Sequence, residues 1–326
     1  MFKKNILNFL VKTNVFAALR YKNRTCVPIL MYHRFSQEDT PFSTSKSVLE
    51  NHLKYLTKHY KVISFQQLAD KFINSEPLQH NSLVITIDDG YKDVFDIAFP
   101  ILKKFAVPAT VFAVTDFLDK KIWIWTDKAR YLLINTKLDS VNFNIASKDF
   151  SFKLGDKTSR INYAATINSE LKKLSTEDRD LSIEKLANLL NVKLPNLPDE
   201  NFSSFTWDNA REMENNGISV ESHTVSHPIL TNVSDEVLKI ELSESKVRVQ
   251  TELQKEANIF CYPNGNCSPR EFLAVENAGY KSAVSTEPRL SKATDNIFSI
   301  PRVDCDSDMN RFIQTISGFD ELKTMF

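Results

Sequence analysis

Two adjacent carboxylates, Asp88 and Asp89, close the apolar run 83–87 in "LVITIDDGYKDVF". Acids this close repel each other and resist burial, so their position at the end of a buried strand asks for a counter-charge. Two further groups also follow apolar runs. His223 and His227 come after "ISVES", and the turn "YPNG", with Tyr262, Pro263 and Asn264, comes after "NIFC". Imidazole and carboxylate are zinc-type ligands, and a catalytic zinc site takes three protein ligands and keeps one position open. Asp89, His223 and His227 supply three. Asp88 then stands next to the ion as a base for an activated water. Coordination would neutralise one carboxylate and leave the other near positive charge. Taken singly, an acidic pair at a strand end is more often a solvated loop or a helix cap, and many H-x-x-x-H pairs are accidental. Glu is absent from the second position of this pair, which excludes the metalloprotease helix H-E-x-x-H. Pro228 sets the pair on a loop or short turn.

These groups need elements to hold them. "VPILMYH" (27–33), "LVITI", "VPATVFAV" (107–114), "ISVES", "NIFCY", "YKSAVS" and "FSIPRVD" read as buried strands. Between them lie helical patterns. Ser47 with Glu50, Ser64 with Gln67, and Ser268 with Glu271 have the spacing of capping boxes. Thr206 serves as an N-cap, with Gly217 ending that helix. A helix is expected over 92–105, kinked or divided at Pro100, and a long one over 234–256. Strand–helix alternation with apolar strands implies a parallel sheet. About seven or eight strands favour an α/β fold of the distorted (β/α)-barrel type, with functional residues at the carboxyl ends of the strands. From 121 to 204 the chain turns Asn-, Lys- and Ser-rich, and reads as a mostly helical insertion covering one face of the domain. The expected organisation is a basic N-terminal segment over 1–26 and a single barrel domain over 27–326, interrupted by that insertion.

With strands and motifs in place, "TIDDGY", "SHTVSHP" and "YPNG" resemble the polysaccharide deacetylase family, also known as the NodB-homology domain or carbohydrate esterase family 4. "PILMYHRF", "YKVISFQQL" and "WDNAREMENNG" resemble its subgroup with an early Y-H motif. The resemblance covers about two-thirds of the chain. It implies a TIM-like barrel and metal-dependent removal of acetyl groups from N-acetylated sugars. It matches Asp88 to the catalytic base and Asp89, His223 and His227 to the metal ligands. The backbone N–H of Asn264 then faces the oxyanion. One divalent ion is implied; zinc is expected, and iron, nickel or cobalt could take the same ligands. The chain also departs from the family pattern. Cys261 stands where many members have an Arg that orients the base, and Arg302, in "IPRVD", is its candidate replacement. No histidine follows His227, so the acid role falls to His33, while His52, His59 and His80 read as solvated. The other readings of this site are a carbohydrate O-acetyl esterase, a different amide hydrolase, or a glycan-binding module without turnover.

Composition narrows the field further. Lys plus Arg equals Asp plus Glu at 41 each, so bulk charge gives no support to a nucleic-acid binder. Six glycines leave no Gly-rich phosphate loop. The four cysteines (26, 261, 267 and 305) form no C-x-x-C pair and read as free, mostly buried thiols. Residues 1–24 carry Lys3, Lys4, Lys12, Arg20, Lys22 and Arg24 with no acid, interleaved with apolar residues. That pattern suits a basic amphipathic helix, lying on an anionic membrane or packed across the end of the barrel. Lys12 and Asn14 interrupt any signal-peptide core. The expected setting is cytoplasmic, with possible contact at the inner membrane face and a polymeric or lipid-linked N-acetylated glycan as substrate. Trp123 and Trp125 are candidates for stacking on sugar, with burial as the alternative.

Overall fold

In the computed structural model, residues 13–40, 42–145 and 147–323 are described. The first half of the basic segment, 1–12, lies outside them. The described remainder of that segment forms a helix, Val15–Lys22, whose Phe16 is buried against the ring of Phe319.

Among the described residues twelve strands run in chain order: β1 Ile29–Tyr32, β2 Phe35–Ser36, β3 Thr44–Ser45, β4 Lys61–Val62, β5 Ser82–Ile87, β6 Ala109–Ala113, β7 Ser140–Ile145, β8 Lys148–Lys153, β9 Ile218–Ser222, β10 Ile259–Cys261, β11 Ser282–Val284 and β12 Val303–Asp304. Seven form one parallel sheet in the order β11-β10-β9-β6-β5-β1-β12, and β4 adds to the amino end of β5. Ile300 pairs with Val284 of β11, and after Pro301 and Arg302 the chain reaches Val303, which pairs with Leu30 of β1. One interrupted strand thus spans the gap between the sheet's edges. The proline has no N–H to give to a continuous ladder there. The architecture is a distorted (β/α) barrel.

Alternation along the strands sorts the core into two layers. Leu83, Ile85 and Ile87 face outward to the surrounding helices, with Leu30, Val111 and Val220. Val84 faces inward with Ile29, Phe112, Ile259 and Cys261. The inward series continues through Thr86 to Asp88, so the acid of interest ends an interior row.

Several helix signals hold. Ser64–Gln67, Thr206–Asn209 and Ser268–Glu271 form reciprocal capping boxes. The helix Lys46–His59 is capped differently from expectation: Ser45, not Ser47, accepts from the Val48 N–H and starts it. Division at Pro100 takes the form of a π-turn, Val94–Ala98, leading into Phe99–Phe105. A ring with no N–H suits that junction.

Residues 121–204 contain the helices Trp125–Asn135, Lys157–Leu171 and Thr176–Leu189, and the antiparallel hairpin β7–β8. Together they enclose a separate apolar cluster with Leu132, Phe143, Ile167 and Ile183. The hairpin was not foreseen, although its "SVNFNI" alternates strictly between exposed and buried positions. His52 also corrects an expectation. It is buried rather than solvated, its ring stacked on Phe312 at 3.7 Å and its Nδ1 2.9 Å from the Tyr32 hydroxyl. His59 is half-buried beside Tyr55, and His80 is exposed. The cysteines are free, but only Cys261 is fully buried. No described helix is long and apolar enough to cross a membrane.

Candidate active site

Three strand ends meet at a cavity of about 600 Å³. After β5, Asp88 keeps strand geometry and its N–H donates to the Tyr32 carbonyl at 2.9 Å. The backbone then swings into the left-handed region at Asp89 (φ 78°) and Gly90 (φ 96°). Gly90 is required twice over, by that φ and because a Cβ would meet Leu118 at 2.9 Å. The turn detaches Asp89 from the alternation, so neighbouring acids point at different partners. Left-handed residues recur at the other two corners, at Thr224 (φ 71°) and His227 (φ 60°) and at Asn264 (φ 59°). Non-glycine residues in this region carry strain that the surroundings must hold, and such residues cluster at functional sites.

Asp89 Oδ1 lies 3.6 Å from His223 Nε2 and 3.3 Å from His227 Nε2. Ligand atoms of all three residues fall within 4.8 Å of one another. His223 is oriented from behind by the Cys261 carbonyl, 2.8 Å from its Nδ1, leaving Nε2 for the cavity. His227 Nδ1 is buried and meets no partner. One carboxylate and two imidazoles converging in this way fit a single divalent ion of the zinc type. Asp88, His223 and Cys261 are equally close-set. That second group fits poorly, because both Asp88 oxygens and the Cys261 sulfur already face the Arg302 guanidinium.

Arg302 is 1% exposed. Its two terminal nitrogens donate to the two Asp88 oxygens at 2.7 Å each, and Nε donates to the Ser285 carbonyl at 3.0 Å. Burial alone would raise the Asp88 pKa, but the guanidinium, together with the nearby His33 and His223, outweighs it and holds the carboxyl below its ordinary value. Asp89 is likewise pushed up by burial and brought well below its ordinary value by its two imidazoles. His33, half exposed at the cavity, has Nε2 3.9 Å from Asp88 Oδ2.

The histidine loop has supports that sequence reasoning missed. Glu241, from the helix Asp235–Leu253, accepts from the Val225 and Ser226 N–H groups at 2.7 and 3.0 Å and from the Ser226 hydroxyl. It sits on the buried stripe with Leu238, Leu242, Ser245 and Val249, and a lone acid on such a face was the available signal. Trp125 Nε1 donates to the His227 carbonyl at 3.2 Å.

Of the expected residues, His33, Asp88, Asp89, His223, His227 and Asn264 line the cavity, and Arg302 stands behind Asp88. Tyr262 and Pro263 do not line it. Tyr262 is buried with Phe260, Phe272 and Tyr280, because alternation after Cys261 turns it to the outer layer. Both tryptophans are buried, but only Trp125 forms part of the cavity wall; Trp123 packs on Tyr131 and Phe202 away from it. The exposed aromatic ring at the cavity is Phe42.

Comparison with known proteins shows the family and the fold. Residues 75–283 match the family model described as polysaccharide deacetylase. Bacillus subtilis YxkH is 21% identical over 278 residues, covering 85% of this chain and 70% of that protein. The poly-beta-1,6-N-acetyl-D-glucosamine N-deacetylase of Escherichia coli K12 is 21% identical over 271 residues, 80% of this chain but only 33% of the relative. Among solved structures, the Streptococcus pyogenes deacetylase PplD superposes with a TM-score of 0.60 at 18% identity, covering 89% of this chain and 98% of that one. That last likeness is one of fold.

Proposed function

The chain belongs to the polysaccharide deacetylase family, hydrolases of the amide C–N bond in N-acetylated sugars, and on that premise we propose a metal-dependent N-deacetylase whose site is the cavity above β5, β9 and β10. The observation that carries this reading is the convergence of Asp89, His223 and His227 beside an Asp88 gripped by Arg302.

In this reading Asp89, His223 and His227 would hold the ion, with zinc the expected metal. When bound, it supplies Lewis acidity toward the acetyl carbonyl and makes water a stronger nucleophile near neutral pH. Asp88 accepts the proton of the attacking water. Arg302 keeps that carboxylate ionised and its oxygens fixed. The Asn264 N–H, presented by a left-handed turn, donates to the carbonyl oxygen as charge develops on it. That turn depends on Gly265, where a Cβ would collide with the Thr286 side chain at 2.0 Å. His33, at the open side of the cavity, delivers a proton to the departing amine nitrogen.

The substrate class rests on the family and on the name of the Escherichia coli relative, of which this chain spans a third. A polymeric N-acetylglucosamine chain is the first choice, and a lipid-linked glycan the second. Metal content together with acetate release from N-acetylglucosamine oligomers, with O-acetylated xylan as the control, tests the reading. Acetate from the oligomers, abolished by chelation and restored by metal, is expected. Release from xylan alone would replace the amidase reading with an esterase one.

A further inference from the structure

The wall of the cavity contributed by residues 125–172 carries polar groups that the deacetylation chemistry does not use. The helix Lys157–Leu171 presents Asn168 and Ser169 there, and Lys172, which caps its end, follows on the same face. Spacings of three and four residues put them on one side of the helix.

Lys172 is half-buried and has no ion-pair partner among the described residues. Its neighbour Lys173 and the nearby Lys148 both salt-bridge to Glu170, on the far side of the same turn. Burial disfavours the Lys172 charge, and the offsetting charge is Asp89, already engaged by two histidines. The arginines on the cavity are matched, Arg34 by Asp93 and Arg130 by Asp127, as is Arg302 behind it, by Asp88. Asn168 is 8% exposed. Its Nδ2 donates to the Thr126 carbonyl at 2.9 Å, while its Oδ1 meets no donor. A half-buried cation without an ion pair of its own and a buried acceptor without a donor both cost stability unless something binds there.

We propose that Lys172 and Asn168 form a subsite for an anionic substituent of the glycan, a carboxylate or a phosphate, next to the acetamido group being cleaved. Lys172 supplies the counter-charge, and the Asn168 amide, turned toward the cavity, lets its unpartnered Oδ1 accept from a sugar hydroxyl or amide N–H. The inference rests on the deacetylase reading and refines its substrate from any N-acetylated glycan to an acidic one.

The test uses the full-length metal-loaded protein and two matched pairs of probes. Hyaluronan tetrasaccharide against chitotetraose isolates a carboxylate; N-acetylglucosamine 1-phosphate against N-acetylglucosamine isolates a phosphate. A charge-assisted contact predicts kcat/KM about tenfold higher for the acidic member of at least one pair, and that pair identifies the anion. Lys172→Gln should bring the acidic-to-neutral ratio close to one, and Lys172→Arg should keep most of it. Calorimetric affinities of the same probes for Asp88→Asn protein should show the same ratio and the same loss. Preference for the neutral member in both pairs, or a ratio unmoved by Lys172→Gln, overturns the inference. If no probe yields acetate, the deacetylase reading fails, and the affinities alone decide the subsite: no acidic preference in binding refutes it.

Discussion

Arg302 and Asp88 form a two-point pair inside the barrel, each guanidinium nitrogen 2.7 Å from its own carboxylate oxygen. The pair joins the interrupted strand at the barrel seam to the end of β5. It also answers why a buried strand ends in an acid. The depressed Asp88 pKa means that the pair's stabilisation is present above the unfolded value of about 3.9 and is lost as pH falls through the lower folded value. Arg302→Met leaves the carboxylate buried and unpaired. A loss of roughly 3–5 kcal/mol is expected in urea denaturation, and the acid limb of kcat/KM should move to higher pH. Lys at this position offers one point charge in place of a fork, so Arg302→Lys should restore little. An acid limb that stays put in Arg302→Met would show that another group sets the ionisation of the base.

The two neighbouring acids should separate cleanly by variant. Asp88→Asn is expected to retain metal and lose about 10² to 10⁴ in kcat. Asp89→Asn removes an expected ligand and should lose metal as well. Metal analysis and acetate release on the same preparations check both. Near-normal turnover by metal-loaded Asp88→Asn would take the base role away from that residue.

His33 approaches Asp88 from the solvent side, its Nε2 3.9 Å from Oδ2, the oxygen that also accepts from one Arg302 terminal nitrogen. If it delivers the proton to the amine, His33→Ala should lower kcat, keep metal content, and flatten the basic limb of the pH–rate profile. Activated substrates with a good leaving group should lose less. Retention of the full bell-shaped profile would assign the acid to a different group.

Glu241 acts through the histidine loop rather than on substrate. It ties down two backbone N–H groups and one hydroxyl just before His227. Glu241→Gln can accept from fewer of these donors at once, so metal affinity should fall about 10- to 100-fold, as for other outer-shell supports. Excess metal should then recover most of kcat. Unchanged affinity would show that the Trp125 contact to the His227 carbonyl suffices to hold the loop.

Much of the site was legible because its residues end strands. Alternation along β5 directs Val84, Thr86 and Asp88 inward, and residue types at the ends of β5 and β9 already suggested a metal. Long-range contacts were less legible. Glu241 lies on a helix whose partner loop cannot be read from local pattern. Tyr262 looked like a site residue by proximity to Asn264, yet period-two geometry turns its ring into the outer core. The β7–β8 hairpin was hidden in a polar stretch, although its alternation was present. His52 was misread for a similar reason: it shares a face with Leu49, Leu53 and Leu56, but the Phe312 ring that covers it comes from the far end of the chain.

That buried histidine has a consequence for stability. Burial pushes the His52 imidazole down to about 4, whereas an unfolded histidine titrates near about 6.5. Between those values the unfolded chain takes up a proton that the folded protein refuses. Stability from this residue is therefore intact above about pH 6.5 and falls as pH drops toward 4, by roughly 3 kcal/mol when complete. His52→Phe keeps an aromatic ring against Phe312 and removes the titration. Urea denaturation of wild type and variant at pH 7.5 and pH 4.5 isolates the effect as a difference of differences. The wild type should lose more stability than the variant over that interval. Equal losses would mean that His52 can take up its proton without leaving the fold.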